Sequence, residues 1–320
     1  MKIGMITDSL GAMGLEPMLD AAAELGIECL EFGCGNWSSA PHLDLDALLE
    51  RSQDRGAFLA KLADRKLSIS ALNCSGNPLH PGSEGKRQHE VTLKTIRLAA
   101  LLGIDRVVLM SGLPGGPGDA NPNWIVTDWP PECGRILEYQ WNEVIVPYWR
   151  ELVAYARNAG VPRLCLELHG HQAVYNPRTL LKLREAVGET VGANYDPSHP
   201  LWMGADPLAA VRALGSAIYY VHAKDTRIEP LAAGRDGILE TRPFAAAAER
   251  SWNYVTLGYG HDETWWRQFC AALRMAGYDD VLSIEHEDAI VAPLEGVRRS
   301  VELLRRVAFF DRGEGAPAIP

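Results

Sequence analysis

The chain has 320 residues and a formal net charge of -10, with 41 acidic against 31 basic residues and no dense run of Lys and Arg. Nucleic acid is therefore a poor partner, because its binding depends on clustered positive charge. The composition, 47% hydrophobic and 22% charged, is typical of a soluble globular protein with a full hydrophobic core.

Neither a membrane protein nor a secreted one is predicted. No run of about 18 or more apolar residues occurs, and the first residues, MKIGMITDSL, lack the basic and apolar segments of a secretion signal. The six cysteines are scattered without a CxxC pair, which indicates reduced thiols. We therefore expect a cytoplasmic protein.

In the first half of the chain, predicted strands alternate with predicted helices. Strands are predicted at 2–7, 29–35, 67–74 and 106–110, and helices at 16–25, 43–65, 86–102 and 139–156. Such alternation predicts parallel strands joined by crossover helices. After the fourth strand lies a Gly- and Pro-rich insertion at about 111–137, which contains Trp124 and Trp129. We interpret it as a wall or lid over the site, the alternative being a structural cover or an oligomer contact.

The second half of the chain contains four short apolar runs that each end in carboxylate or imidazole groups. They are LCLELHGH (164–171), ANYDPSH (193–199), YVHAKDTR (220–227) and LSIEHED (282–288), with predicted helices at 177–187, 207–214 and 261–277 between them. Alternate side chains of a strand share one face, and parallel strands bring their carboxyl ends to one side. Glu167, Asp196, His222 and Glu285 can therefore converge. The array predicts one domain at 1–307, an α/β fold of the (β/α)8 TIM-barrel type.

These four residues form a candidate metal site. Three carboxylates and one imidazole suit one divalent ion, with Mn2+ preferred, Mg2+, Co2+ or Zn2+ as alternatives and copper disfavoured. Without a cation, carboxylates at close range would repel and raise one another's pKa values. Each residue alone is typical of a polar group at a barrel rim, and only the repetition on four strands favours a metal. No glycine-rich dinucleotide fingerprint occurs, so no nucleotide cofactor is expected.

A second insertion, at about 226–260, follows the seventh strand, and we interpret it as another wall of the site. Lys224 shares the predicted strand face of His222, although a Lys–Asp pair at a strand end is as often structural as catalytic. This second insertion contains a GYGHDE turn together with Arg227, Arg235, Arg242 and Trp252.

The chain ends with a predicted helix at 294–307 and a polar tail at 308–320.

The motifs DPSH (196–199), HAKDTR (222–227) and IEHED (284–288), together with Glu167, resemble the xylose-isomerase-like (β/α)8 barrel superfamily of sugar and sugar-phosphate isomerases and epimerases. In ketose 3-epimerases of this family the metal ligands are Glu, Asp, His and Glu at these strand ends. The resemblance implies the ligand set Glu167, Asp196, His222 and Glu285. It also implies that Glu167 and Glu285 exchange protons with the substrate carbon.

Two further features concern the substrate. The resemblance implies that His199 and Arg227 contact sugar oxygens. After Glu167 the chain continues LHGH, so His169 and His171 crowd the site, and no glutamate follows that matches the substrate-binding glutamate of the epimerases. Either histidine is an alternative general base, because an imidazole pKa suits neutral pH.

The insertions carry a second resemblance. The segments PGGPGD...NW...WPP and SW...GYGHDE look like those of proteins that act on 3-keto glycosides, including the large subunits of C-glycoside deglycosidases. This implies metal-assisted elimination of an aglycone, in some cases with a small second subunit. The abasic-site endonucleases of the superfamily are disfavoured, because the third strand ends in Asn73 and Cys74 rather than in a His ligand.

The sequence therefore predicts a divalent-metal-dependent sugar isomerase or epimerase that removes a proton next to a sugar carbonyl and forms an enediolate. The alternatives are a metal-dependent lyase or deglycosidase acting on 3-keto glycosides, and a non-catalytic sugar-binding module. The expected partner is a small sugar or keto-sugar, with a homo-oligomer or a small second subunit left open. The candidate catalytic residues are Glu167, Glu285, His169 and His171, and the candidate substrate-binding residues are His199, Arg227, Lys224, Trp124 and Trp252.

Overall fold

The computed structural model describes residues 1–311, and in that range eight parallel strands close into a barrel. The strands of the protein are β1 (Lys2–Ile6), β2 (Cys29–Gly33), β3 (Ser68–Asn73), β4 (Arg106–Leu109), β5 (Arg163–Glu167), β6 (Val191–Tyr195), β7 (Ile218–Ala223), β8 (Asp225–Ile228), β9 (Trp252–Val255) and β10 (Val281–Ile284). The barrel order is β1-β10-β7-β6-β5-β4-β3-β2, while β8 and β9 form a separate antiparallel pair. The predicted (β/α)8 fold is confirmed.

Helices cover the outside of the barrel, and two of the long ones have clear end signals. The first residues of α7 form a capping box between Asn176 and Thr179, and α4 ends at Gly103, whose φ of 70° suits glycine. The helices are α1 (Leu15–Glu24), α2 (Leu45–Glu50), α3 (Ser52–Ala63), α4 (Ser83–Leu102), α5 (Pro131–Tyr139), α6 (Val146–Ala159), α7 (Pro177–Val187), α8 (Ser198–Trp202), α9 (Pro207–Leu214), α10 (Pro230–Asp236), α11 (Glu263–Met275) and α12 (Pro293–Val307).

Side chains inside the barrel form layers, because alternate residues of every strand point inward. An apolar cluster is formed by Cys29, Ala71, Val108, Cys165, Tyr220 and Val281. Two residues further along five of these strands, buried polar side chains follow at Glu31, Asn73, Glu167, His222 and Ser283. The change from apolar to polar along the same strand face places the chemistry at the carboxyl ends of the strands.

Two predicted helices have a different form in the structure. The segment predicted as one helix at 43–65 is divided into α2 and α3, because Arg51 between them has an extended backbone. The segment predicted as one helix at 139–156 begins earlier, with α5 at Pro131, and reaches α6 through a π-helical turn at Gln140–Ile145. Pro147 is the second residue of α6, directly after this π-helical turn.

The second insertion is more ordered than a loop. Within the run at 220–227, β7 ends at Ala223 and the chain turns into β8, which begins the second insertion. Asp225 holds this turn, since its carboxylate accepts hydrogen bonds from the backbone N–H groups of Gly258, Gly260 and His261 at 3.0–3.1 Å. Asp225 is therefore structural, although it follows directly after Lys224.

The helix α12 ends at Val307, and residues 312–320 of the predicted tail lie outside the described part of the chain. Within residues 1–311, no helix combines the length and the apolar character needed to cross a membrane.

Candidate metal centre

The structure brings together the four side chains that were predicted as metal ligands. Glu167 ends β5, Asp196 follows β6, His222 lies in β7 and Glu285 follows β10. Each offers one ligand atom, and the four atoms lie within 4.8 Å of one another. Oxygen ligands lie about 2.0–2.6 Å from Mg2+ or Ca2+, so atoms on opposite sides of such an ion are about 4–5 Å apart. The spacing of the cluster therefore fits one divalent ion.

Three of these ligands carry a buried polar atom that makes no well-aligned hydrogen bond. The atoms are Asp196 Oδ2, His222 Nδ1 and Glu285 Oε2; His199 Nε2 lies 3.1 Å from the first, and the last two lie 2.9 Å apart. An unpaired buried polar atom costs about 1–3 kcal/mol. Three such atoms in one cluster are satisfied together by a cation, so the residues present fit a metal ion.

The imidazole of His222 is oriented by Glu31. His222 Nε2 lies 2.9 Å from Glu31 Oε2 and 3.1 Å from Oε1, and the same carboxylate accepts hydrogen bonds from Asn73 and Ser283. The Glu31 carboxylate accepts hydrogen bonds, so Nε2 carries a proton, and Nδ1 is the nitrogen that can act as a ligand once it has lost its own proton. Glu31 therefore has a positioning role: it holds the imidazole of His222.

The electrostatics of the cluster also suit a cation. Burial raises the pKa of Glu167, and the charge of Glu285 raises it further. Burial acts to raise the pKa of Glu285, but the charges of Lys224 and His222 outweigh it and the pKa falls below its usual value. Burial acts to lower the pKa of His222, but Glu31 and Glu285 hold it well above its usual value. Negative charge is therefore concentrated here, and a divalent ion balances it.

His199 in α8 supports two of the ligands. Its Nε2 lies 2.8 Å from Glu167 Oε1 and 3.1 Å from Asp196 Oδ2, and its Nδ1 lies 3.0 Å from the Tyr254 hydroxyl. The ring is fully buried and both nitrogens are engaged. In this geometry His199 fixes the two carboxylates, and a contact with sugar oxygens remains a prediction.

A cavity of about 200 Å³ opens beside the cluster. Asp8 and Trp37 form a wall that sequence reasoning missed. Asp8 Oδ1 accepts a hydrogen bond from Ser38 at 2.5 Å, and its Oδ2 is buried without a partner. Asp8 follows β1 as Asp196 follows β6, so the same strand-end signal could have found it. The cavity is lined by Ile6, Asp8, Trp37, Ser38, Asn73, Ser75, Met110, Glu167, His169, Lys224, Glu285 and Glu287.

Two of the remaining predicted residues lie at this cavity. Lys224 Nζ lies 3.5 Å from Glu285 Oε1, 2.5 Å from Glu287 Oε2 and 4.1 Å from the centre of the Tyr254 ring. The ring of His169 packs on that of His199, with their centres 4.1 Å apart. His169 Nδ1 donates to the Gly170 carbonyl, so its Nε2 is the free proton acceptor.

Other predicted residues lie away from the lining of this cavity. His171 is exposed and has a φ of 60°. Arg227 is held by Glu229, whose Oε1 accepts two hydrogen bonds from its guanidinium at 2.6 and 2.8 Å. Trp124 packs against His171, with ring centres 6.3 Å apart. His171, Arg227 and Trp124 can therefore contact only a substrate that extends beyond the four-residue cluster. Their roles in catalysis or substrate binding remain predictions.

Aromatic rings join the second insertion to the metal centre. Trp252 of β9 stacks on Trp202 of α8, with ring centres 4.9 Å apart and planes at 6°. Trp202 in turn covers Gly170, where an added Cβ would lie 2.2 Å from the indole ring. Since Tyr254 of β9 also contacts His199, the hairpin of β8 and β9 supports the cluster.

Replacing Glu31 with Gln should weaken metal binding while the fold is kept. The amide can present its NH2 group to His222 Nε2 and turn the imidazole to the wrong tautomer, and loss of such a partner costs about 10–100-fold in metal affinity. Titration with Mn2+ measures the effect. Glu28→Gln, in which the side chain accepts a hydrogen bond from the backbone N–H of Ile3, serves as the control. Equal affinities for both variants would contradict the positioning role.

Trp124→Ala and Trp252→Ala should each raise the KM for a substrate several-fold, because both rings belong to the insertions that border the barrel mouth. Steady-state kinetics measure this, and the melting temperature separates it from unfolding, since loss of a buried Trp costs about 3–5 kcal/mol. Trp129→Ala is the matched control, because Trp129 lies in the same insertion and is 73% exposed. Unchanged KM values in both variants would assign the insertions to packing or subunit contacts.

A closed barrel with a carboxylate cluster at the carboxyl ends of its strands has its candidate site where TIM barrels carry their active sites. The family model of the Xylose isomerase-like TIM barrel matches residues 19–307, and the chain belongs to this family. The chain is 51% identical over 309 residues to the uncharacterized protein YfiH of Bacillus subtilis (strain 168). The aligned region covers 96% of this chain and 99% of YfiH.

Solved structures share the same architecture. A D-tagatose 3-epimerase-like protein superimposes with a TM-score of 0.61 at 20% identity, covering 96% of this chain and 98% of that protein. The IolI protein with a bound zinc atom superimposes with a TM-score of 0.65 at 18% identity, covering 96% and 98% of the two chains. At these identities the likeness shows the fold. The chain thus combines an isomerase- and epimerase-like fold with a cluster that can hold a metal.

Proposed function

We propose that this protein is a divalent-metal-dependent enzyme of the sugar isomerase and epimerase type, which removes a proton next to a sugar carbonyl. One observation carries this proposal. Glu167 and Glu285 belong to the four-residue cluster and also line the adjacent cavity. Two carboxylates can therefore hold a cation and face a substrate at the same place.

The proposed cofactor is one divalent ion held by Glu167, Asp196, His222 and Glu285. Three carboxylates and one imidazole suit Mn2+, with Mg2+, Co2+ and Zn2+ as alternatives, and the zinc atom of the IolI neighbour supports a divalent ion in this fold. When bound, the ion supplies positive charge that stabilises the negative charge developing on a carbonyl oxygen.

Glu285 is the proposed general base. It is less buried than Glu167, and Lys224 Nζ lies 3.5 Å from its Oε1. This ammonium keeps the carboxylate ionised, as a base requires. His169 is the alternative base because it lines the cavity, but burial lowers its pKa to about 3, which makes it the weaker base.

Glu167 is the proposed second proton carrier. Its Oε1 is hydrogen-bonded to His199 Nε2 at 2.8 Å, and this imidazole can replace a proton that the carboxylate gives up. The strands β5 and β10 are separated by β6 and β7 in the ring, so the two carboxylates approach the cavity from different directions. Such a pair suits epimerisation, which needs proton carriers on both faces of a carbon, while isomerisation needs one.

Elimination of an aglycone from a 3-keto glycoside is the second candidate function. It begins with the same removal of a proton next to a carbonyl, so the same carboxylates serve it. The insertions at 111–132 and 226–259 support this candidate, because they resemble those of proteins that act on 3-keto glycosides.

A parallel activity screen tests the proposal. Protein loaded with Mn2+ is incubated with a panel of free ketoses and a panel of 3-keto glycosides, and chelator-treated protein serves as the control. Epimers or isomers that form only with the metal support the first function, and a released aglycone supports the second. If the protein bound sugars saturably but formed no product, the enzymatic proposal would be contradicted. A non-catalytic sugar-binding module would then be the remaining hypothesis.

A further inference from the structure

A second cavity, of about 70 Å³, lies between the first insertion and the segment that follows β5. Within residues 1–311, it shares no lining residue with the cavity at the metal cluster. We call it the α7 pocket, because α7 contributes one side of it. Its lining residues are Leu113, Trp124, Ile125, Leu137, Gln140, Trp141, Gln172, Ala173, Tyr175, Arg178, Thr179 and Lys182.

The α7 pocket is positively charged in a protein whose net charge is -10. Arg178 and Lys182 lie one helical turn apart on α7, and no carboxylate is among the lining residues. In the described part of the chain neither cation forms an ion pair, and Lys182 Nζ lies instead 4.0 Å from the centre of the Trp141 ring. Burial lowers the pKa of Lys182, and the charge of Arg178 lowers it further. Both side chains are exposed, so the rim of the pocket has positive charge that no carboxylate of residues 1–311 pairs with.

Two buried polar atoms at the wall of the α7 pocket have no hydrogen-bond partner. They are Trp124 Nε1 and Gln172 Oε1, and Gln172 is 1% exposed. An indole N–H can only donate, so Trp124 Nε1 needs an acceptor, whereas Gln172 Oε1 is itself an acceptor. Buried polar groups in proteins are normally paired. The pocket thus offers one unpaired indole donor where positive charge is also present.

The size of the α7 pocket restricts what it can hold. A cavity of roughly 150 Å³ binds a benzene molecule, and the α7 pocket has about half of that volume. A second sugar ring is therefore too large, while a carboxylate or phosphate group is of suitable size. Both groups are acceptors that pair well with guanidinium, ammonium and N–H donors.

We propose that the α7 pocket binds an anionic group, a carboxylate or a phosphate, at the end of the substrate remote from the metal cluster. His169 at the first cavity and Gln172 at the α7 pocket are three residues apart, so their Cα atoms are separated by at most about 10 Å. The anion site stands on its own geometry, whereas the assignment of the anion to the substrate rests on the proposed function.

Binding of inorganic phosphate and of acetate to the full-length protein tests the anion site directly. The indole N–H signal of Trp124, identified by its loss in Trp124→Phe, is followed by NMR during each titration. Phosphate or acetate should shift this signal saturably, and sodium chloride at equal ionic strength should not. The anion that binds more tightly distinguishes phosphate from carboxylate as the natural group.

A double variant provides the matched comparison. Arg178→Gln with Lys182→Gln should raise the dissociation constant of the anion by about tenfold or more. Arg157→Gln with Arg212→Gln removes the same charge from other exposed helix positions and should leave the constant unchanged. A Trp124 signal that responds to neither anion, or a response that is equal in both double variants, would overturn the anion site.

The assignment to the substrate is tested by calorimetry on the Mn2+-loaded protein. A ketohexose is compared with its terminal phosphate and its terminal carboxylate, and one charged form should bind about tenfold more tightly than the neutral sugar. The Arg178→Gln and Lys182→Gln double variant should lose that advantage. If the charged sugars bound no more tightly than the neutral sugar while phosphate or acetate still shifted the Trp124 signal, only the assignment of the anion to the substrate would be overturned. Failure of the proposed function leaves the Trp124 titration unaffected, because that titration needs neither metal nor turnover.

Discussion

Glu285→Gln should stop the exchange of the substrate α-proton with solvent while the protein keeps its metal ion. The amide oxygen can still act as a ligand, but the amide cannot accept a proton as a carboxylate does. Loss of a general base costs about 10²–10⁴-fold in rate. The reaction is run in deuterated water, and deuterium at the carbon next to the carbonyl is measured by mass spectrometry together with the turnover rate.

Glu90→Gln is the control for this variant, because Glu90 is an exposed glutamate on α4. It should exchange deuterium at the wild-type rate. If the wild type turns over without taking up deuterium, a shielded base has returned the same proton to the substrate. The turnover rates of the wild type and of Glu285→Gln are then compared instead. A Glu285→Gln variant that keeps the wild-type rate would contradict the assignment and favour His169, which His169→Gln then tests.

His222→Ala should lower the affinity for Mn2+ by more than about 100-fold. His222 is the imidazole of the four-residue cluster, its Nδ1 lies 2.9 Å from Glu285 Oε2, and loss of a ligand exceeds the 10–100-fold cost of losing an outer partner such as Glu31. Titration with Mn2+, followed by electron paramagnetic resonance, measures the affinity. Circular dichroism of the same samples shows that the fold is retained.

His171→Ala is the matched control for metal binding, because His171 is an exposed histidine near the same barrel mouth. It should bind Mn2+ as the wild type does. If His222→Ala also bound Mn2+ with wild-type affinity, His222 would not be a ligand.

The barrel could be predicted because its signals are local. Alternation within each strand places inward residues on one face, and the regular succession of strands and helices predicts parallel pairing with all carboxyl ends on one side. Glu167, Asp196 and Glu285 each stand at or directly after the last residue of a strand. Strand position alone therefore indicates that such residues can meet.

The support of the cluster could not be predicted, because it depends on contacts between distant parts of the chain. His222 is oriented by Glu31, which lies 191 positions earlier, and no sequence spacing links the two. Lys224 and Asp225 are neighbours, yet one lies beside Glu285 and the other holds a turn of the second insertion. Lys224 is the single residue between β7 and β8, and Asp225 begins β8, and such strand ends are the least certain part of a sequence-based prediction.

The metal content of the wild-type protein tests the central claim most directly. Protein purified without a chelator is examined by elemental analysis, and a second sample is stripped and then loaded with Mn2+. The four-residue cluster predicts one tightly held divalent ion per chain in at least the loaded sample. Protein that carries no stoichiometric metal and cannot be loaded with Mn2+ would contradict the metal centre and the chemistry proposed for it.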